Sequence, residues 1–527
     1  MINLLCMKSR MAIDLVIINA NIWTLESKKR EEALAVLDDM IIKVGSNEEI
    51  KELITDETIV IDAKGNTVLP GFIDAHTHII WTGLNKIYVD LENTKSIEEA
   101  VTLLKQEADK KGPDKWVIGR NWDQSKWVEQ RYITAQDLDK KITNNPVFLR
   151  HVSGHLSTVN TLGYKRLRID DNTHGVDKDE NGAVVGILRD IELDDNEELL
   201  PTAEDILNGL NLGMEEALKL GITSIHDNII YETWPAYKYL KQNNQLKVRI
   251  YGIIYQTMLE EATKLGLTRN YEDKWFKVGA VKLMTDGALS SRTAYLFDDY
   301  IDKEGEKGFS LYDDQKLDYM VKAVHDSGLQ LAIHAIGDKA IAKVVDSIQR
   351  MINKEECKTA LHRIEHAELV RKEDVERVKD WNIVFSMQPN FVWRWGMVDV
   401  DGMYEKKLGR ERTLLNNPFK WVTDNDLHLV FGSDGMPLGP LYGIKGVIFH
   451  PNPDLRLGLE EAIYHYTYTP AVVSGEDKIK GSLKPGKLAD IIILNRNLDQ
   501  IDLESFHDVD INYTIVAGSV AYKREEN

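Results

Sequence analysis

His76 and His78 close the run Leu69-Pro70-Gly71-Phe72-Ile73-Asp74-Ala75-His76-Thr77-His78. Side chains two apart on a strand point the same way. Two imidazoles on one strand face can hold one metal ion from one side, and neutral histidine is the commonest metal ligand. A bare His-x-His is a weak motif. It gains weight only if other ligands arrive from elsewhere in the chain.

Four further residues could supply them. Lys282 lies inside the apolar run Val278-Gly279-Ala280-Val281-Lys282-Leu283-Met284. A lysine within a buried strand is costly unless paired or modified. Reaction with carbon dioxide would convert it to a carbamate able to bridge two metals; the other reading is a strand-end lysine reaching solvent. His334 ends Leu331-Ala332-Ile333-His334, ahead of Gly337-Asp338, as a site residue at a strand mouth or as a satisfied core histidine. His366 sits in His362-Arg363-Ile364-Glu365-His366, which also matches the H-x-x-E-H pattern of one metallopeptidase class if the segment is a helix. Asp434 follows Phe431-Gly432-Ser433 and reads as a metal ligand and proton acceptor, or as a turn or cap aspartate.

These residues need a frame that brings strand ends together. Strand-like runs recur at 116–119, 147–150, 222–226, 247–254, 279–284, 330–334, 361–366, 383–388 and 427–431. Helical patterns lie between them at 96–111, 202–220, 316–327, 340–351 and 372–381. Repeated strand–helix order predicts parallel sheet. The count suits a TIM-like (β/α)8 barrel, an α/β fold whose chemistry sits at the C-terminal ends of its strands. That is where His76, His78, Lys282, His334, His366 and Asp434 all fall. Short strand-like pieces at 12–24, 33–44 and 58–68, and again at 489–494, 513–516 and 519–522, are too few at either end for a core of their own. Pairing both ends predicts a composite β-sandwich from 1–69 and 481–527. It brackets a barrel at 70–480, with an α/β insertion at about 95–220.

Composition narrows the partners. The formal net charge of −20 argues against a nucleic-acid backbone as partner. Two cysteines give no disulfide framework and suit a cytoplasmic location. No run approaches the roughly 20 apolar residues of a membrane span. The first ten residues read as an extension, or Met11 as the true start.

Taken in order, these segments resemble the amidohydrolase superfamily, in particular its long metal-dependent hydrolases related to N-substituted formamide deformylase. Asp286-Gly287, Ser291-Arg292-Thr293-Ala294 and Gly481-Ser482-Leu483-Lys484-Pro485-Gly486-Lys487-Leu488-Ala489-Asp490 add to the match. The resemblance runs from about residue 13 to 522. It implies one or two divalent metals per chain, zinc first and iron or manganese as alternatives. His76, His78 and Asp434 would hold one metal and His334 and His366 the other, with Lys282 bridging as a carbamate formed from carbon dioxide. It further implies attack of metal-bound hydroxide on a C–N bond of a small amide, N-substituted formamide or cyclic amide, with Asp434 as proton shuttle. Gly435-Met436-Pro437 and Ala288 depart from the pattern and bear on the pocket wall. Trp122, Asp123, His155 and Arg292 are the expected substrate contacts. Trp393 and Trp395 are candidates for an aromatic wall, and His226 is a strand-end histidine that the ligand set does not need. A homodimer is the expected assembly. The alternatives are a zinc metallopeptidase using His362, Glu365 and His366, and a non-catalytic scaffold on the same fold.

Overall fold

The computed structural model describes residues 13–525, apart from 152–155, 174, 190, 192–195, 197, 270–272 and 401. The chain forms two compact units, one of Met1–Ile79 with Met214–Asn527 and the other of Ile80–Gly213.

The larger unit holds an eight-stranded parallel sheet. Its strands are β1 (Phe72–Thr77), β2 (Ile222–Ile229), β3 (Arg249–Tyr255), β4 (Phe276–Met284), β5 (Gln330–Ala335), β6 (Arg363–His366), β7 (Val384–Met387) and β8 (His428–Phe431). They stand side by side in chain order. This is a TIM-like barrel. Nearly every position in these strands is buried, as parallel sheet requires, because helices cover the outer face while side chains fill the inside. The runs at 116–119 and 147–150 belong to the other unit's sheet, so the barrel is completed by the His-x-His strand.

The seam between β8 and β1 is closed by specific polar contacts. The Asp74 carboxylate accepts the Ser433 N–H at 3.0 Å and its hydroxyl at 2.5 Å, and the Asp434 N–H donates to the His76 carbonyl at 2.7 Å. Gly432 permits this approach. A Cβ placed there would sit 2.4 Å from the His76 nitrogen and 2.6 Å from its Cβ. Gly432→Ala is therefore expected to cost about 1–3 kcal/mol through overpacking, read as a lower urea midpoint. An unchanged midpoint would contradict this account of the seam.

The two chain ends share a sandwich. A four-stranded sheet uses Leu15–Ile18, Ala33–Leu37, Met40–Gly45 and Ile59–Asp62. A six-stranded sheet pairs Thr67–Pro70 antiparallel with Ile491–Leu494, joining the N-terminal and C-terminal segments directly. Leu15, Ile17, Leu34 and Val36 from the first sheet bury with Val68, Ile491, Ile493 and Ile515 from the second. Neither segment has enough apolar surface to make this core by itself. Buried Arg249 at the start of β3 pairs with Asp490 at 2.6 Å and anchors the barrel to the sandwich.

The smaller unit has its own six-stranded sheet, in the order Val176–Lys178, Val184–Arg189, Leu156–Val159, Val147–His151, Val117–Trp122 and Val89–Asp90. The helix Ile97–Lys111 packs Ile97, Val101 and Leu104 into this unit's core. Ser96 caps its start by accepting the Glu99 N–H, and Gly112 at φ 76° ends it in a conformation that side chains resist. Among the described residues no helix is long and apolar enough to cross a membrane.

Candidate active site

Strand β1 carries His76 inside the barrel, fully buried. Its Nδ1 lies 2.5 Å from a Glu365 carboxylate oxygen on β6. Burial, then the Lys282 charge, keeps the imidazole well below its ordinary pKa, so this is a neutral ring donating Nδ1–H. Nε2 is then left as a lone pair facing the strand ends. Two donors converge on it, Lys282 Nζ at 3.2 Å and Asn228 Nδ2 at 3.2 Å.

His366, the last residue of β6, repeats the arrangement. Its Nδ1 is 2.7 Å from Gln388 Oε1, which leaves its Nε2 as the free lone pair. Asp434 follows β8 in the left-handed region at φ 55°, which turns its carboxylate inward. Burial by itself would raise the Asp434 pKa. The hydrogen bond with His78 and the neighbouring Lys282 charge outweigh that and hold it at about 2. One donor atom from each of His76, His366 and Asp434 lies within 4.8 Å of the others.

The remaining sequence candidates surround this trio. His78 Nε2 is 3.3 Å from Asp434 Oδ1. The His334 ring packs edge-on to His366, with centroids 4.4 Å apart, and its Nε2 lies 3.2 Å from the Gly287 carbonyl. Lys282 is buried on β4, and loss of hydration lowers its pKa to about 8 against the raising effect of Glu365 and Asp434. The tertiary fold thus draws six residues spread over more than three hundred positions to one end of the barrel.

Beneath them lies a polar layer that sequence reasoning passed over. Arg363 Nε stands 2.7 Å from Glu365 Oε1, an ion pair too bent for a hydrogen bond, while its Nη2 donates to Glu365 Oε2 at 3.0 Å and to Ser386 at 2.9 Å. Its Nη1 donates to His226 Nδ1 at 2.9 Å, which makes His226 a support of this layer. Burial would raise Glu365, but the Arg363 and Lys282 charges bring it below the ordinary carboxylate value. Asp286, after β4, accepts the N–H groups of Tyr295, Ile336 and Gly337 and so ties down the loop after β5; burial pushes its carboxyl up to about 7 even so. Two ionic residues two apart inside an apolar strand were the available signal for Arg363 and Glu365.

A cavity of about 370 Å³ opens above the trio. Its walls include Leu289, Ile336, Phe391, Trp395 and Met403, with Tyr255, Glu368 and Tyr404 as polar members. Burial raises the Glu368 carboxyl to about 8, opposed by the hydrogen bond from Tyr404.

Several expected contacts have other partners. Trp122 is fully buried in the core of the smaller unit, stacked on Trp127 with centroids 5.4 Å apart, which is a packing role. Asp123 accepts the Ser125 N–H at 2.9 Å and caps a turn. Arg292 is taken up by Asp302 at 3.0 and 2.6 Å. His155 lies outside the described residues. Trp395 lines the cavity, whereas Trp393 packs on Phe449 and His507. The metallopeptidase alternative needs His362 and His366 on one helix face. Residues 363–366 are instead strand, His362 Nδ1 accepts the Leu331 N–H at 3.0 Å, and Glu365 is committed to His76 and Arg363.

Residues 59–522 match the family model of the amidohydrolase family. The chain belongs to the amidohydrolase family. It is an enzyme, a hydrolase acting on carbon–nitrogen bonds. This amidohydrolase is 27% identical to the putative amidohydrolase YtcJ of Bacillus subtilis, over 95% of this chain and 97% of that protein. It is 24% identical to the N-substituted formamide deformylase of Arthrobacter pascens, over 97% and 98%. Among solved structures, an uncharacterized metal-dependent hydrolase from Pyrococcus furiosus superposes with a TM-score of 0.78 at 28% identity, covering 92% of this chain and 99% of that one.

Proposed function

We propose that this amidohydrolase is metal-dependent and cleaves the C–N bond of a small amide, N-substituted formamide or cyclic amide. The observation that carries the reading is the convergence of His76, His366 and Asp434, two neutral imidazoles that each present an Nε2 lone pair and one ionised carboxylate. That donor set fits a divalent cation, zinc first and iron or manganese next. His78 and His334 would complete the shell for one or two ions. Lys282 Nζ, reacting with carbon dioxide with loss of a proton, would add a bridging carbamate. The solved relative from Pyrococcus furiosus, described as a metal-dependent hydrolase, and the Arthrobacter deformylase point the same way.

A divalent metal at this place would acidify a water and polarise the substrate carbonyl. The chain's own residues do the rest. Glu365 and Gln388 fix the orientation of two ligand rings. The apolar walls hold the substrate body and keep bulk water from the reacting carbon. The Asp434 carboxylate accepts the proton of the attacking water and delivers it to the leaving nitrogen as the C–N bond breaks. The substrate is a small molecule, and cytoplasmic action as a homodimer completes the reading.

Metal content per chain, measured by elemental mass spectrometry on protein prepared without chelator or affinity nickel, tests it. The expected result is about two divalent ions in wild type, with at least one lost in Lys282→Ala. A single ion unaffected by that substitution would remove the bridging role of Lys282. No ion after reconstitution would overturn the metal-dependent reading.

A further inference from the structure

Glu368, two residues beyond β6, lines the cavity and is 2% exposed. One of its carboxylate oxygens accepts the Tyr404 hydroxyl. Among the described residues no lysine or arginine pairs with it. A buried carboxylate is ordinarily matched by a cation, because desolvation without one is costly. Here the carboxylate faces a space walled by aromatic rings. Phe391 and Trp395 lie 4.8 Å apart by centroids, and Trp395 and Tyr404 6.4 Å. Ring faces attract cations as well. The cavity is thus apolar in its walls and carries at one end a buried carboxyl that no lysine or arginine pairs with among the described residues.

We propose that Glu368, oriented by Tyr404, recognises a positively charged nitrogen, so that the substrate is an amide bearing an ammonium group on an apolar body. The proposal rests on reading this cavity as the substrate site. It goes beyond that reading by naming the chemical class that the site selects. Glu368 is a specificity residue here; the hydrolytic steps do not require it.

Calorimetric titration with a matched pair of probes, cyclohexylmethylammonium and cyclohexylmethanol, tests this at pH 9, above the raised value of the Glu368 carboxyl, where it and the ammonium are both charged. Wild type is expected to bind the ammonium about tenfold more tightly than the alcohol, as one desolvated charge pair with cation–π support allows. Glu368→Gln should bring the ratio to about one while the alcohol affinity stays within about threefold, the alcohol doubling as a check that the pocket is intact. Glu368→Asp, which keeps the charge, should retain a preference. Equal binding of the two probes by wild type, or an undiminished preference in Glu368→Gln, would overturn the proposal. Neither probe needs turnover. A hydrolase that is active on neutral amides yet shows no ammonium preference would sink this inference alone. Absence of metal would sink the hydrolytic reading and leave the binding ratio to be judged separately.

Discussion

Asp434→Asn is expected to lower kcat by about 10²- to 10⁴-fold, the usual contribution of a positioned acid–base group, with KM changed much less. The substitution keeps size and shape. The backbone N–H at 434 still donates to the His76 carbonyl, so the left-handed turn after β8 persists. What disappears is a carboxylate that stays ionised despite burial because His78, His76 and Lys282 surround it. An amide oxygen can still ligate a cation but cannot carry a proton from water to a leaving nitrogen. Kinetics on any amide found by library screening, alongside metal content, separate these roles. A kcat within tenfold of wild type at unchanged metal content would end the proton-transfer assignment. A variant that is empty of metal would place the loss in binding instead.

Arg363→Met is expected to be the most destabilising single change near the site, at about 3–5 kcal/mol, the cost of breaking a buried ion pair from one side. Arg363 and Glu365 are both without solvent exposure. Removing the guanidinium leaves Glu365 charged in a low-dielectric interior, strips Ser386 and the Ala75 carbonyl of their donor, and leaves His226 Nδ1 unmatched. The sign can be checked with Arg363→Met/Glu365→Gln, in which no orphaned charge remains. The double variant should recover a large part of the loss, a non-additivity expected only of interacting neighbours. Equal urea midpoints for the single and double variants would show that the pair is not what holds this layer. The layer matters to the proposed chemistry because Glu365 sets the tautomer of His76, so Arg363 acts on this candidate metal ligand through one intermediary.

The sequence could disclose the barrel because its evidence is local. Alternation of apolar strands with amphipathic helices is written in neighbouring residues, and parallel strands end their side of the barrel together whatever their partners. His76, His78, Lys282, His334, His366 and Asp434 were visible for the same reason: each is a polar residue in or at the end of an apolar strand-like run. The 363–366 segment was ambiguous between strand and helix, since a run so short satisfies both periods, and pairing with β5 and β7 decided it. The runs at 116–119 and 147–150, expected within the insertion at about 95–220, pair in the smaller unit's own sheet, and membership of a sheet is a property of partners and not of the strand alone.

By itself, then, the sequence determined which residue types stand at the strand ends and that those ends belong to an amidohydrolase barrel. Tertiary structure alone decided what each side chain does there. Glu365 reaches His76 across 289 positions, Tyr404 reaches Glu368 across 36, and Trp122 turns into its own unit's core. The physical reason is that a hydrogen bond or ion pair forms only where backbone register and side-chain direction bring two groups within about 3 Å. Those are set by packing between distant segments, and nothing in the local chain encodes them.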